Sequence, residues 1–180
     1  MPIKSPFDVP NLQVELQKLA LMALGSNLGN SKQFILRAMD RLQEISDFPL
    51  LRSSLWQSTP VDCPPDSPLF VNAVAGLLPR TMETPESLFD KLQTLEKEFG
   101  RQPNKVLNAP RPLDVDLIAF GQETRTSERL TLPHPRAHLR GFVLQPLCEI
   151  APGLVLPRQI LTIRQLLETL DCPEKVARLS

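Results

Sequence analysis

The run Leu113-Asp114-Val115-Asp116-Leu117 constrains this chain more than any other stretch. Apolar Leu113, Val115 and Leu117 alternate with two aspartates, which is the period of a strand with one buried face. Side chains two apart on a strand share a face, so Asp114 and Asp116 point the same way, about 7 Å apart. Two carboxylates on one surface repel, and each raises the other's pKa unless a cation stands between them. Oxygen donors with no His or Cys beside them suit a hard ion such as Mg²⁺, which takes one or two carboxylates together with substrate phosphates. Arg111, three residues before Asp114, is within reach of a phosphate on that ion. The competing reading is a solvated strand face carrying a chance Asp-x-Asp, and the rest of the chain has to decide.

The bulk properties narrow the class. A chain of 180 residues is long enough for one domain with a real core. Twenty basic and twenty acidic residues cancel, so the charge balance signals neither nucleic acid nor an anionic membrane surface. Cys63, Cys148 and Cys172 lie far apart with no Cys-x-x-Cys pair. That spacing argues against a disulfide framework and a structural zinc, and it fits a reducing, cytoplasmic setting. No apolar run is long enough for a membrane helix. Residues 1–18 carry Lys4, Asp8 and Glu15 and lack the apolar core of a secretion signal. They read as a loosely ordered extension ahead of a single domain over residues 19–180.

Along the chain, Leu19 to Leu24 reads as a strand closed by the turn Gly25-Ser26-Asn27-Leu28-Gly29. Asn30 or Ser31 can cap a helix carrying Phe34, Ile35, Ala38, Met39, Leu42 and Ile45 on one stripe. The turn lacks both Gly-Lys-Ser/Thr and a full GxGxxG, so a strand–helix connection competes with a phosphate loop. Leu50 to Gln57 resumes a strand pattern, with Trp56 as a core-packing residue. Ser58 to Pro68 is a proline-rich loop of the length that is usually functional. Leu69 to Leu78 is a further strand whose Asn72 must find hydrogen-bond partners among apolar neighbours. Thr84 or Thr81 opens a helix buried through Leu88, Leu92, Leu95 and Phe99, with Gly100 as its stop. Gln93 and Glu96 lie close together on it. After the Asp114/Asp116 strand, Gln122 to Glu128 reads as a hairpin connection, and Phe142 to Ile150 and Ile163 to Leu170 as helices. Strand, helix, two strands, helix, strand is the ferredoxin-like βαββαβ plan. The expected class is therefore α+β, a mostly antiparallel sheet with helices on one face, an added hairpin and C-terminal helices.

Several segments in fixed order complete a pattern. These are Ala23-Leu24-Gly25-Ser26-Asn27-Leu28-Gly29, Phe70-x-Asn72-Ala73, and Glu96-x-x-x-Gly100-Arg101. Then follow Pro110-Arg111-x-Leu113-Asp114-x-Asp116-Leu117, Leu132-Pro133-His134-Pro135 and Arg140-Gly141-Phe142-Val143-Leu144-x-Pro146-Leu147. From about Leu19 to Pro157 the chain resembles the 6-hydroxymethyl-7,8-dihydropterin pyrophosphokinases of folate biosynthesis. The resemblance implies an ATP-dependent diphosphotransferase that moves pyrophosphate from MgATP to the pterin hydroxymethyl group and releases AMP. It implies two Mg²⁺ ions on Asp114 and Asp116, with Arg101 and Arg111 facing the phosphates. It implies ATP contacts from Gln93, Glu96, Arg129, Thr131, His134 and Arg140. For the pterin it implies Ser58, Thr59, Pro60 and Val61 of the first loop, Asn72 reading the ring edge, and Phe70 and Phe142 stacking on the ring. ATP and a reduced pterin are then the partners, without nucleic acid or membrane.

One segment departs from the family. The loop Gln102 to Pro110 has Pro103, Lys105, Leu107, Asn108 and Ala109 where the family carries further basic residues and a Trp-Gly pair. Lys105 can replace an arginine only as a point charge, not as a planar fork. Two other functional classes compete with the enzyme: a non-catalytic pterin or nucleotide binder on the same fold, and a regulatory module that only associates with partners. The first has little use for a two-carboxylate metal site, and the second leaves the donor-rich segment around His134 and Arg140 unexplained.

Overall fold

The structure, a computed structural model, describes residues 16–102 and 108–180. The first strand, β1 (Ala20–Ser26), runs into helix α1 (Ser31–Glu44), which Asn30 caps by accepting the Gln33 N–H. Ile35, Ala38, Met39 and Leu42 form the buried stripe of α1. The expected second strand is divided into β2 (Leu51–Arg52) and β3 (Trp56–Ser58). The break falls at Ser53, whose Oγ accepts the Val74 N–H at 2.9 Å. Next come β4 (Phe70–Leu77) and α2 (Pro85–Glu98), the latter closed at its start by a capping box between Thr84 and Ser87. Strand β5 (Asp114–Phe120) carries the two aspartates.

The chain then makes a small ribbon, β6 (Arg125–Thr126) against β7 (Thr131–Leu132), and two more helices, α3 (Gly141–Ile150) and α4 (Ile163–Thr169). It ends in β8 (Val176–Arg178). In the main sheet the strands lie in the order β5-β1-β4-β3-β8, with β2 also on β4, and all of these pairings are antiparallel. The fold is α+β.

The added hairpin after β5 is present as its own two-stranded sheet. Two expectations need correction. Helices cover both faces of the sheet: α1 and α2 pack with Met22, Leu24, Ala73, Val115 and Leu117, while α3 and α4 pack with Leu21, Val74 and Ile118. Trp56 is half-buried, and its indole N–H donates to Glu149 at 3.1 Å, so its polar edge is used as well as its ring. Strand β8 has no counterpart among the expected elements.

Of the expected N-terminal extension, residues 1–15 lie outside the described residues. Leu16, just beyond them, is buried in the second cluster.

This layering creates the cleft. Alternation along β5 sends Val115 and Leu117 toward α1 and α2, which forces Asp114 and Asp116 to the opposite face with Ile118. Helices α3 and α4 cover that face around Ile118 but stop short of the Asp114 end. Cross-strand register aligns Asp114 with Gly25 on β1, and Gly25 with Asn72 on β4. Paired residues in an antiparallel sheet project to the same side. Asp114 and Asn72 therefore share the open face, with the side-chain-free Gly25 as the floor between them.

Candidate active site

The cleft is lined by Gly25, Ser58, Thr59, Val61, Phe70 and Asn72 on one side, and by Arg101, Arg111, Asp114, Asp116, His134 and Arg140 on the other. Phe142, Asp62, Cys63, Asn108 and Arg136 complete its rim. Each side is positioned by its own local structure.

Arg101 enters from the end of α2. Gly100 adopts φ +86°, so the helix closes with Gly100 N–H on the Lys97 carbonyl and Arg101 N–H on the Glu96 carbonyl. That pairing is a Schellman stop, and it needs the left-handed residue that glycine supplies cheaply. The Arg101 guanidinium then bonds Glu96 and, at 2.8 Å, Asp114. Arg111 Nη1 approaches the same Asp114 oxygen at 3.3 Å. Its backbone is fixed by Asn27, whose Oδ1 accepts the Arg111 N–H at 2.9 Å and whose own N–H donates back to the Arg111 carbonyl. Asn27 also reaches the Pro68 carbonyl at 3.4 Å. The Gly25–Gly29 turn thus acts as a staple between loops.

Glu96 is 7 % exposed, and burial pushes its carboxyl up to about 7 against the opposing pull of the Val115 N–H and Arg101. The Val115 bond, at 2.8 Å, ties Glu96 to the backbone between the two aspartates. Asp116 is pushed up to about 6, first by burial and then by its Asp114 neighbour, although its side chain is 40 % exposed. Among the described residues its ion pairs are long, 3.8 Å to Arg140 and 4.0 Å to His134.

His134 follows a cis Leu132–Pro133 bond and accepts the Arg136 N–H on Nδ1, which leaves the proton on Nε2, facing Asp116. Burial, with Arg140 and Arg136 nearby, lowers its pKa to about 4, so it is a neutral donor at pH 7.

A hard cation fits this donor set. The carboxylates are oxygen-only and side by side, and burial with the Asp114 charge holds Asp116 above its ordinary range, a repulsion that a cation between them would relieve. No group of three or more His, Cys, Asp or Glu that could hold a metal ion occurs among the described residues. Two carboxylates alone underfill the shell of Mg²⁺, which leaves positions for water and phosphate oxygen.

The opposite side has the features of a flat-ring site. Asn72 is 3 % exposed, and its Nδ2 donates to Ser58 Oγ at 2.8 Å. A Cβ at Gly25 would come to 3.5 Å from Asn72 Oδ1 and 3.7 Å from the Phe70 ring, so glycine keeps this floor open. Phe142 lies under the Arg140 guanidinium, 5.4 Å from its centroid.

Not every expected residue reaches the cleft. Gln93 is exposed on α2, Thr131 is half-buried in β7, and Pro60 is not among the lining residues although Thr59 and Val61 are. Arg129 pairs with Asp90 and lies 5.8 Å from the Phe89 centroid. Glu96 acts through Arg101 and Val115. Residues 103–107, with Lys105, lie outside the described residues. The sequence assigns no site role to Asn27, Asn108, Arg136, Asp62 or Cys63. Of these, Asn108 donates to the Asp62 carbonyl at 2.7 Å and links the two loops over the mouth.

An antiparallel α+β sheet with paired carboxylates ringed by arginines is the class of site whose donors suit a phosphate-bearing substrate. Residues 21–152 match the 7,8-dihydro-6-hydroxymethylpterin-pyrophosphokinase family, and the chain belongs to it. It is similar to the 2-amino-4-hydroxy-6-hydroxymethyldihydropteridine pyrophosphokinase of Haemophilus influenzae, 41 % identical over 145 residues, 79 % of this chain and 88 % of that one. It is also 41 % identical to the folic acid synthesis protein fol1 of Pneumocystis carinii over 149 residues, 82 % of this chain but only 19 % of the fungal one. Its fold resembles the crystal structure of Plasmodium falciparum HPPK-DHPS with pteroate, at TM-score 0.65 and 14 % identity, covering 83 % of this chain and 42 % of that chain. The chain thus spans less than half of the bifunctional proteins it resembles.

Proposed function

We propose that the protein transfers the β,γ-pyrophosphoryl group of MgATP to the hydroxymethyl oxygen of 6-hydroxymethyl-7,8-dihydropterin, a step of folate biosynthesis. The hydroxyl oxygen bonds to the β-phosphorus, the bond from that phosphorus to the bridging α-phosphate oxygen breaks, AMP leaves, and the hydroxyl proton is released. The observation that carries this reading is the register of Asp114, Gly25 and Asn72 across three strands. It sets a cation-and-phosphate side next to a slot for a flat, hydrogen-bonding ring.

In this reading the pterin lies over Gly25 between Phe70 and Phe142, with Asn72 reading its amide-like edge and Ser58 to Val61 closing over it. Arg101, Arg111 and Arg140 bind phosphate oxygens as planar forks. Neutral His134 donates from Nε2 to a phosphate without adding charge. Asp114 and Asp116 would hold Mg²⁺, two ions in the full complex, which would supply positive charge to offset that of the phosphates. Gln93, Arg129 and Thr131 form an outer ATP contact once nucleotide is present.

The order β5-β1-β4-β3 also supports the ferredoxin-like βαββαβ plan for the core, with residues 19–180 as one catalytic domain. Three unpaired cysteines support a cytoplasmic location, and no helix among the described residues is long and apolar enough to cross a membrane.

The test is product analysis by phosphorus NMR with MgATP and the reduced pterin. Equal amounts of AMP and pterin diphosphate are expected. ADP, or nucleotide turnover indifferent to the pterin, would refute the reading.

A further inference from the structure

The last ten residues lie beyond the family match, which ends at residue 152, yet they touch both walls of the pterin slot. Cys172, Glu174 and Val176 are half-buried, while Pro173 and Lys175 between them are exposed, the period of a strand with one face down. That face rests on Gly141. A Cβ built at Gly141 would meet Cys172 Sγ at 3.0 Å, Glu174 Oε1 at 3.2 Å and Val176 Cγ2 at 3.3 Å.

Helix α3 begins at Gly141, and its N-cap residue Arg140 makes no side-chain cap. The cap comes instead from 33 residues away, where Glu174 Oε1 accepts the Gly141 N–H at 2.6 Å. A carboxylate there also suits the positive end of the helix. Gly141 sits between Arg140 and Phe142, two residues that line the cleft.

One residue further on, the strap holds the other wall. Thr59 N–H donates to the Lys175 carbonyl at 3.1 Å, and Lys175 N–H donates to Thr59 Oγ1 at 3.0 Å. Ser58 is in register with Val176 on the β3–β8 pair. The far end is tied down independently, by Leu179 N–H on the Leu55 carbonyl at 2.8 Å and by Arg178 on Ser54 Oγ at 2.6 Å.

We propose that the C-terminal strap Cys172–Leu179 is a clamp that fixes the width of the pterin slot, with Glu174 as its positioning residue. Through Gly141 it sets Phe142, and through Lys175 it sets Thr59, so one short segment locks the ring-stacking wall to the loop wall. This rests on the pterin reading of the slot given above.

The test compares wild type with Glu174→Ala, Glu174→Gln and Glu174→Asp. Ile163→Val, a fully buried change on α4 away from the cleft, serves as a stability-matched control. In the AMP assay Glu174→Ala raises the pterin KM about tenfold, the scale of one lost positioning hydrogen bond. Its ATP KM stays within about twofold of wild type. Glu174→Gln keeps the acceptor and stays within about twofold of wild type in both. Hydrogen exchange read alongside shows faster exchange at residues 141–144 and 58–60 in Glu174→Ala and not in Ile163→Val.

The proposal is overturned if Glu174→Ala moves the pterin KM no more than Ile163→Val does, or if Glu174→Gln is as impaired as Glu174→Ala. If Glu174→Ala does not fold, Glu174→Asp, shorter by one methylene, must show a raised pterin KM, and a wild-type value overturns the clamp. If the wild type forms no AMP from the pterin, the functional reading has failed. Exchange then decides the clamp alone, and unchanged protection in Glu174→Ala overturns it.

Discussion

Replacing Glu96 by glutamine, and separately by alanine, distinguishes the hydrogen bond it accepts from the charge it carries. In Glu96→Gln the amide oxygen still accepts the Val115 N–H. In Glu96→Ala a position 7 % exposed loses that acceptor, and Arg101 is left with Asp114. A buried donor without a partner costs about 1–3 kcal/mol, and each lost packed methylene adds about 0.8 kcal/mol. Glu96→Ala should therefore be destabilised by about 2–4 kcal/mol at pH 5, and Glu96→Gln by less than about 1 kcal/mol.

The charge shows itself in the pH dependence. Burial raises the folded carboxyl from its ordinary 4.5 to about 7. A raised folded pKa means that the folded state binds the proton more tightly. The resulting stability is complete below pH 4.5 and is lost as pH climbs through about 7. About 2.5 units at 1.36 kcal/mol each sets an upper limit of about 3 kcal/mol. Glutamine does not titrate, so Glu96→Gln should gain on wild type by up to that amount between pH 5 and pH 8. Asp116, also raised, titrates in both proteins, so the effect is read as the difference between them. Urea unfolding with a chelator present, at the two pH values, reads both effects. The reasoning is refuted if Glu96→Gln falls behind wild type as pH rises, or if Glu96→Ala unfolds within about 0.5 kcal/mol of wild type at pH 5.

Other residues give independent tests. Asn72→Ala should raise the pterin KM at least about tenfold and leave the ATP KM within about twofold; equal effects on both would place Asn72 outside the ring site. Asn27→Ala strands the Arg111 N–H and should lower stability by about 1–3 kcal/mol in urea unfolding, whereas a loss below about 0.5 kcal/mol would contradict its role as a staple. Glu149 is pushed up by burial, but hydrogen bonds from Ser54 and Trp56 and the Arg178 charge outweigh this and bring it below 4.5. Its stabilisation is present above pH 4.5 and lost as pH falls through the lower folded value. The advantage of wild type over Glu149→Gln in thermal unfolding should therefore be largest at pH 7 and shrink as pH falls below 4.5; a constant difference contradicts it.

Much of the fold was legible because local signals agreed. The α1 stripe, the Asn30 and Thr84 caps and the Gly100 stop depend on near neighbours. The alternation at Leu113–Leu117 also determines which face the aspartates occupy, once one face is buried. What was not legible depends on distant pairings. Strand β8 is three residues, Val-Ala-Arg, with no apolar run, and it exists because β3 offers an edge. The division at Ser53 follows from one hydroxyl bonded to Val74, and the staple at Asn27 from a partner 84 residues away. That α3 and α4 take the second face cannot be read from their own sequences, which indicate amphipathic or apolar helices without naming the surface they cover. The register that lines up Asp114, Gly25 and Asn72 is equally a property of three strands together.

The central claim is that Asp114 and Asp116 hold the cation that makes pyrophosphoryl transfer possible. The most direct measurement is the rate of AMP formation from MgATP and 6-hydroxymethyl-7,8-dihydropterin by wild type and Asp116→Ala, with folding of both checked by thermal unfolding. Pterin-dependent AMP from wild type and a loss of about a thousandfold in the variant are expected, with little change in Tm. A folded Asp116→Ala protein that releases AMP at the wild-type rate would contradict it.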